Sequence, residues 1–230
     1  LVQKTSNKNT SNMSKYTAIV PTMLKTYRLY TLVDSLLNSQ YIDEVIVIDN
    51  SDKTEPSIEP HEKLTYICEG RNTGCNPAWN KGVELSKNEL LVIVNDDVNF
   101  NTDILGVLTD ELVEQSGVIG MGVGNWDGYN GIPFTYEGNP YLEEWKSGID
   151  DTGWASLFML KKSMWIPIPE DLIVWYGDNF IKDVNPVKKS ILRGFKCETD
   201  MSTTTDLPEL NELKKQDGVN WMAHWKNWRK

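Results

Sequence analysis

The residues best suited to chemistry in this sequence are Asn95-Asp96-Asp97, which directly follow the apolar run Leu90–Val94. A run that is apolar throughout is typical of a strand buried on both faces of a sheet. The two carboxylates would then lie at the mouth of that sheet. Mg²⁺ and Mn²⁺ prefer oxygen ligands, and carboxylates beside substrate phosphates often hold them. A solvated turn is the alternative, because Asn and Asp are common in turns.

A second polar segment, Asp49-Asn50-Ser51-Asp52, follows the apolar run Val45–Ile48 in the same way. An aspartate at the end of a buried strand can accept hydrogen bonds from a nucleotide base or a ribose. The alternative is an Asx turn, in which the side chain bonds to its own backbone.

The third segment runs from Arg71 to Gly82 and contains Arg71-Asn72-Thr73-Gly74. Arg71 offers a planar fork of donors that suits a phosphate or the edge of a base. Gly74 permits a tight turn or a close approach of the backbone to a ligand. The alternative is an ordinary loop that enters a helix.

Alternating strands and helices must position these three segments. Apolar runs predict strands at 16–20, 45–48, 64–67, 90–94 and 118–123, and helical spacing predicts helices at 29–37, 77–86 and 102–113. This rhythm predicts an α/β fold with a mostly parallel central sheet flanked by helices. Ligands of such sheets bind beyond the carboxyl ends of the strands, where the polar segments fall.

The second half of the chain is less regular. Residues 124–151 show no clear period and predict a long functional loop. Residues 155–160 predict a strand, Asn185-Pro186 predicts a helix that ends near Arg193, and residues 195–198 predict a last strand. Residues 208–230 predict a helical tail. Its tryptophans at 221, 225 and 228 form a stripe that favours packing against the domain over a membrane or partner surface.

Composition narrows the class of protein. The 230 residues include 23 Lys and Arg, 33 Asp and Glu, two His and three Cys, with a net charge of −10. An acidic chain argues against nucleic acid as a partner. We expect neither a disulfide framework nor a transmembrane segment. We expect a cytoplasmic location, with peripheral attachment to a membrane as the alternative. Residues 1–15 are polar, and we expect a disordered segment or a cloning remnant there.

Taken in order, the segments TAIVPT, VIVIDNSD, RNTGCNPAWNKG and LLVIVNDD resemble the inverting GT-A glycosyltransferases of family 2. The third segment matches the family spacing N-x-G-x-x-x-A-x-N-x-G. Asn95 and Asp97 occupy the outer positions of the family's D-x-D metal motif, with the first Asp replaced by Asn. The resemblance implies a GT-A fold and Asp97 as a ligand of Mn²⁺ or Mg²⁺. It also implies a set of donor-binding residues, namely Pro21, Thr22, Asp49, Asn50, Arg71, Asn72, Asn80, Asn95 and Asp96.

The resemblance continues to about residue 200. Gly153-Trp154-Ala155-Ser156 is similar to the family's Gly-Ala strand, and IPEDLIVWYGDNFIKD is similar to the stretch that holds its catalytic base. The resemblance implies that Asp178 is this base, although Asn179 stands where many members have a second acid. Asp171 and Asp183 are the alternatives.

Two further expectations concern the metal and the acceptor. The family often has a His after the last strand, but CETDMSTTT has none, so the metal would depend on Asp97, donor phosphates and water. His224 is a poor candidate for this role. Indole rings can pack on sugar faces, which makes Trp126, Trp154 and Trp175 candidates for the acceptor side, with core packing as the alternative.

The resemblance implies a metal-dependent inverting glycosyltransferase that moves a sugar from a UDP-, dTDP- or GDP-linked donor to a hydroxyl of a glycan or glycoconjugate. We expect a catalytic domain at 16–207, with a donor half at 16–123 and an acceptor half at 124–207, and the tail at 208–230. The sequence does not indicate the oligomeric state. A sugar-phosphate nucleotidylyltransferase is one alternative, although the segment after Pro21-Thr22 lacks the expected glycine-rich basic loop. A non-catalytic carbohydrate-binding module is the other.

Overall fold

The computed structural model of the protein describes residues 14–115, 117–121, 126–127, 140–146, 153–200 and 207–228. The helices are α1 (Arg28–Asn38), α2 (Cys75–Leu85), α3 (Ile104–Gln115), α4 (Gly177–Val184) and α5 (Asn211–Trp228). The strands are β1 (Tyr16–Thr22), β2 (Ile42–Asp49), β3 (Leu64–Cys68), β4 (Leu90–Val94), β5 (Val98–Phe100), β6 (Val118–Met121), β7 (Trp126–Asp127), β8 (Tyr141–Glu144), β9 (Leu157–Lys161), β10 (Lys189–Arg193) and β11 (Cys197–Thr199). Almost all of the predicted segment 1–15 lies outside the described residues.

In the described part of the chain, eight strands form a central sheet in the order β3-β2-β1-β4-β9-β6-β10-β8. Strands β8 and β9 run antiparallel to their neighbours, and the other pairs in the sheet are parallel. The chain moves outward through β2 and β3 on one side of β1, and then returns to place β4 on the other side. The gap between the ends of β1 and β4 is the kind of switch point at which ligands bind in such sheets.

Helices cover both faces of this sheet, which confirms the predicted α/β architecture. Helix α1 buries Leu29, Leu32, Val33 and Leu36 in a core that also contains residues of α3. Helices α2, α4 and α5 contribute to the core on the opposite face. Strands β1 and β4 are fully buried because both faces are covered, as the unbroken apolar sequence of β4 predicts.

Helix α2 lies very close to the sheet at Gly82. A Cβ atom at this position would overlap the Ile19 side chain of β1. The absence of a side chain at Gly82 therefore allows α2 to pack closely against β1.

A small sheet in the order β5-β11-β7 stands beside the main one. Strand β5 begins one residue after Asp97, and its antiparallel partner β11 pairs Thr199 with Val98. The small sheet therefore fixes the chain that leaves the acidic segment.

The expected helix from Asn185 to Arg193 is wrong. Residues 189–193 form β10, which pairs with β6 on one side and with β8 on the other. Asn185-Pro186 is typical of a helix start, but Ser190, Ile191 and Leu192 are buried between two strands. Pairing across the sheet therefore decides the structure of this segment over the local signal. The helix here is α4, which ends at Val184.

The helical tail is confirmed as α5, and its tryptophan stripe faces the protein. The Trp221 ring stacks on Tyr176, with 5.8 Å between centroids and 7° between planes. Trp228 meets Phe180 edge to face at 4.9 Å, and Trp225 packs beside Trp221 at 5.5 Å. The stripe therefore attaches the tail to the segment that leads into α4.

Candidate active site

A cavity of about 380 Å³ opens beyond the carboxyl ends of β1 and β4. Most of the polar residues expected there from sequence line it together. The lining residues are Pro21, Thr22, Met23, Asn50, Asn72, Cys75, Trp79, Asn95, Asp96, Asp97, Gly153, Ala155, Ser156, Val174, Trp175, Asp178 and Leu210. The acidic segment after β4 and the predicted base of α4 thus face one pocket.

The two aspartates of the acidic segment have different surroundings. The Thr22 hydroxyl donates to Oδ2 of Asp96 at 2.6 Å, which links the ends of β1 and β4. Burial raises the pKa of Asp96 to about 6 in spite of this hydrogen bond, and the charge of Asp97 adds to the rise. Asp97 is 5% exposed and accepts a hydrogen bond from the Thr199 hydroxyl of β11 at 3.0 Å. A threonine hydroxyl on a neighbouring strand therefore fixes the orientation of each carboxylate.

The oxygen atoms that line this pocket could bind a hard cation, but the protein would supply only part of its ligands. Among the residues that the structure describes, no cluster of three or more His, Cys, Asp or Glu could enclose a metal ion. Asp96 and Asp97 offer carboxylate oxygens on the pocket wall, and a magnesium-type ion commonly takes one or two such ligands with phosphates and water. His224 lies elsewhere, with Nε2 2.7 Å from Oδ1 of Asp171, so its side chain is used in that contact.

Three predicted donor-binding residues do not line the pocket, namely Asp49, Arg71 and Asn80. Asp49 is fully buried, and its oxygens accept hydrogen bonds from the Ser51 N–H at 2.8 Å and the Tyr66 hydroxyl at 2.8 Å. Arg71 is exposed.

Asn80 binds the segment after β9, with Nδ2 donating to the Ile168 carbonyl at 2.8 Å and Oδ1 accepting from the Ile168 N–H at 2.9 Å. Asn80 therefore holds α2 to the segment after β9, and it does not line the pocket where the sequence placed it.

Asn50 lines the pocket and also organises it. Its Nδ2 donates to the Gly74 carbonyl at 3.0 Å, and its Oδ1 accepts from the Thr73 hydroxyl at 2.7 Å. Gly74 has φ +95°, a conformation that favours glycine, and a Cβ there would overlap Ile173. The polar segment after β2 and the glycine segment before α2 are thereby joined into one wall.

Asp178 stands in the first turn of α4 and lines the pocket. The backbone of the preceding Gly177 lies so close to α2 that a Cβ there would overlap Oδ1 of Asn76. The preceding residue, Tyr176, has φ +65°, in the left-handed region. The chain thus turns sharply into α4 at the point that delivers the predicted base.

The three candidate acceptor tryptophans have different positions. Trp175 lines the pocket, and its ring contacts the Lys214 ammonium, with 5.6 Å from Nζ to the centroid. Trp154 is fully buried and stacks on Phe158, so it packs the core and the acceptor prediction for it is wrong. The backbone of Trp126 pairs in β7, and its side chain lies outside the described part of the structure.

The sequence reasoning missed several residues of this region, among them Cys75, Trp79, Leu210 and Asp217. Cys75 lies next to Gly74 in the matched motif, and burial together with the charges of Asp96 and Asp178 raises its pKa to about 12. Trp79 directly precedes Asn80, and its Nε1 is buried without a hydrogen-bond partner in the described structure. Position within the motif could have indicated both. No local signal marks Leu210 or Asp217, because they reach the site through the tail.

The sheet order, the pocket at its switch point and the acidic segment define a protein of the GT-A class. The model of the glycosyl transferase family 2 matches residues 17–158, which is more than half of the chain. The chain therefore belongs to glycosyl transferase family 2, a family of glycosyltransferases. This membership argues against both alternatives weighed from the sequence. No curated protein matches the chain in a sequence search.

Solved structures show the same fold. Residues 1–349 of TarS from S. aureus in complex with UDP give a TM-score of 0.60 at 18% identity, covering 89% of this chain and 64% of that one. The same protein with UDP-GlcNAc gives 0.58 at 16%, covering 89% and 66%. GalNAc-T7 with UDP, GalNAc and Mn²⁺ gives 0.54 at 13%, covering 82% and 43%. The chain spans less than two thirds of each of these chains.

Within the described part of the chain, none of the helices is both long enough and apolar enough to cross a bilayer.

Proposed function

We propose that the protein transfers a sugar, with inversion, from a nucleotide-diphosphate donor to an acceptor hydroxyl. The observation that carries this proposal is that Asp97 and Asp178, from segments far apart in the chain, line one pocket at the switch point of a GT-A sheet. Family membership supports the reaction class. The bound UDP and UDP-GlcNAc of the TarS structures favour a uridine-linked donor as the first candidate.

In this proposal, the walls of the pocket divide the work. Thr22, Asn50 and Asn72 face the donor, and Asp97 with Asp96 would hold Mn²⁺ or Mg²⁺. When bound, such an ion offsets the charge of the diphosphate as it leaves. Val174, Trp175 and Leu210 form the apolar side, which we assign to the acceptor and to the exclusion of water.

Asp178 acts as the general base of the proposed transfer. Its carboxylate takes the proton of the acceptor hydroxyl while that oxygen forms a bond to the anomeric carbon. The bond from this carbon to the diphosphate oxygen breaks, and the nucleotide diphosphate leaves on the opposite face, which inverts the configuration. A general base of this kind typically contributes about 10²–10⁴-fold to the rate.

Thermal unfolding with nucleotides tests the proposal. The protein is melted with UDP, GDP or dTDP, each with and without Mn²⁺, and hydrolysis of the matching nucleotide sugars is followed in parallel. A ligand present at 100 times its Kd adds about 2.7 kcal/mol, so we expect a clear rise in Tm with one nucleotide. The absence of both a shift and donor hydrolysis across the panel would overturn the proposal.

A further inference from the structure

The segment 172–176, which we call the base segment, connects the region after β9 to Gly177 at the start of α4. It supplies Val174 and Trp175 to the pocket, and Asp178, which also lines the pocket, follows two residues after its end. The base segment has no helix or strand of its own. Its position therefore depends on what holds its peptide groups.

Asp217 of α5 holds the peptide N–H groups of this segment. The side chain is fully buried. Oδ1 accepts from the Ile173 N–H at 3.1 Å, and Oδ2 accepts from the N–H groups of Val174 and Trp175 at 2.8 and 2.9 Å. Hydrogen bonds to a carboxylate are among the stronger ones in proteins. Three consecutive N–H groups are thus aimed at one side chain of the tail.

Asn76 of α2 holds the opposite side of the base segment. Its Nδ2 donates to the carbonyls of Leu172 and Trp175, both at 3.1 Å, and its own N–H donates to the Ile173 carbonyl at 3.1 Å. The base segment is therefore held between the tail and the helix that carries the donor-side motif.

Further contacts from α5 hold both ends of the base segment. Nδ2 of Asn220 donates to the Asp171 carbonyl at 2.6 Å, just before the segment begins. The ring of Tyr176, the last residue of the segment, stacks on Trp221. Gly177 follows immediately, and it has no room for a side chain against Asn76. A shift of the base segment would thus move the first turn of α4, and Asp178 with it.

We propose that Asp217 is a positioning residue for the transfer reaction and that the tail helix α5 is part of the catalytic apparatus. This inference rests on the proposed function, since it assigns Asp217 the task of placing the base Asp178 and the acceptor-side Trp175. A displacement of about 1 Å in such a group can cost about 10²-fold in rate. A carboxylate at 217 is suited to this task because it accepts all three N–H groups at once.

The test is the variant Asp217→Asn. Its amide replaces one of the two accepting oxygens by an N–H₂ group, which cannot accept a hydrogen bond from the peptide N–H groups. We expect kcat to fall about 10²-fold, while the donor KM and the Kd of UDP by calorimetry change less than threefold. Hydrogen exchange of the amides of 172–176 should become faster. Glu212→Gln, an exposed site on the same helix, is the matched control and should leave all four values unchanged.

The double variant Asp178→Asn/Asp217→Asn separates this inference from the base assignment. If Asp217 acts through Asp178, the double variant should be no slower than Asp178→Asn within about threefold, because coupled sites are not additive. An unchanged kcat in Asp217→Asn, or a parallel loss of UDP binding, overturns the positioning role. Full transfer by Asp178→Asn overturns the base assignment instead.

Should Asp217→Asn not fold, Asn220→Ala provides a second test. It should lower kcat by about threefold to tenfold without weakening UDP binding, and an unchanged kcat there overturns the inference.

Discussion

The Nζ atom of Lys182 lies 3.8 Å from Oδ2 of Asp178, one helical turn earlier in α4. The lysine side chain is only 5% exposed, whereas 33% of the Asp178 side chain is exposed. The ammonium also lies over the Trp154 ring, 5.7 Å from its centroid. The carboxylate proposed as the base therefore has a buried cation behind it and the pocket in front, which restricts its orientation.

Asp178→Asn should reduce sugar transfer by about 10²–10⁴-fold, because an amide cannot take the acceptor proton. Binding of UDP by calorimetry should change little, since we assign the donor to other walls of the pocket. Asp183→Asn is the matched control, on the same helix but exposed and outside the pocket. Comparable activity of the two variants would speak against Asp178 as the base.

Asp97→Asn should remove the metal-dependent part of donor binding. We expect the additional rise in Tm that Mn²⁺ gives in the presence of UDP to disappear, while any rise with UDP alone persists. The physical reason is the loss of an anionic oxygen ligand on the pocket wall. Asp103→Asn, an exposed acid shortly after β5, should keep the full metal effect. A full Mn²⁺ effect in Asp97→Asn would place the cation elsewhere.

Gly82→Ala should destabilise the protein, although the same change in an exposed helix would stabilise it by about 1 kcal/mol. The new Cβ would overlap the buried Ile19 side chain, and such overpacking costs about 1–3 kcal/mol. Urea unfolding measures the change. In an Ile19→Ala background the cost of Gly82→Ala should shrink, and equal costs in both backgrounds would refute the steric explanation.

Glu44→Gln should show a pH-dependent loss of stability. Burial alone would raise the pKa of Glu44, but hydrogen bonds from the Thr17 hydroxyl and the Lys87 N–H, with the Lys87 charge, lower it overall. A carboxyl with a lowered pKa stabilises the folded state above its unfolded value of about 4.5, and this contribution is lost as pH falls through the folded value. The variant should be about 1–2 kcal/mol less stable at pH 7.

Urea unfolding at pH 7 and at successively lower pH checks this prediction. The difference in free energy of unfolding between the native protein and Glu44→Gln should narrow as pH falls below the unfolded value of about 4.5. Glu84→Gln, at an exposed position, should show no such trend. A difference that stays constant with pH would show that the charge of Glu44 contributes nothing.

The wall of the pocket that we assign to the donor could be predicted from sequence because its signals are local. Each polar segment directly follows an apolar strand, and parallel strands bring such segments to the same edge of a sheet. This reasoning placed Thr22, Asn50 and Asp97 correctly on one pocket. It could not separate Asn80 from them, because the spacing of a motif does not reveal which helix face a side chain occupies.

The remainder depends on contacts between distant parts of the chain. Nothing in the local sequence distinguishes Asp217 from the other charged residues of the tail, and the sequence predicts Trp154 as an acceptor-side residue. Their roles follow from the burial of Asp217 against the base segment and of Trp154 over Gly120. The strand at 189–193 was missed for the same reason, since its partners β6 and β8 are distant in sequence.

The attachment of α5 to the base segment also bears on how the molecule is made. During synthesis β1, β2 and β4 emerge early and can begin to pair, but Asp217 and Leu210 follow only after nearly all of the sheet. A chain synthesised only as far as β11 would therefore lack the contacts from α5 that hold the base segment. Sugar transfer, rather than donor binding, would then report that α5 has docked.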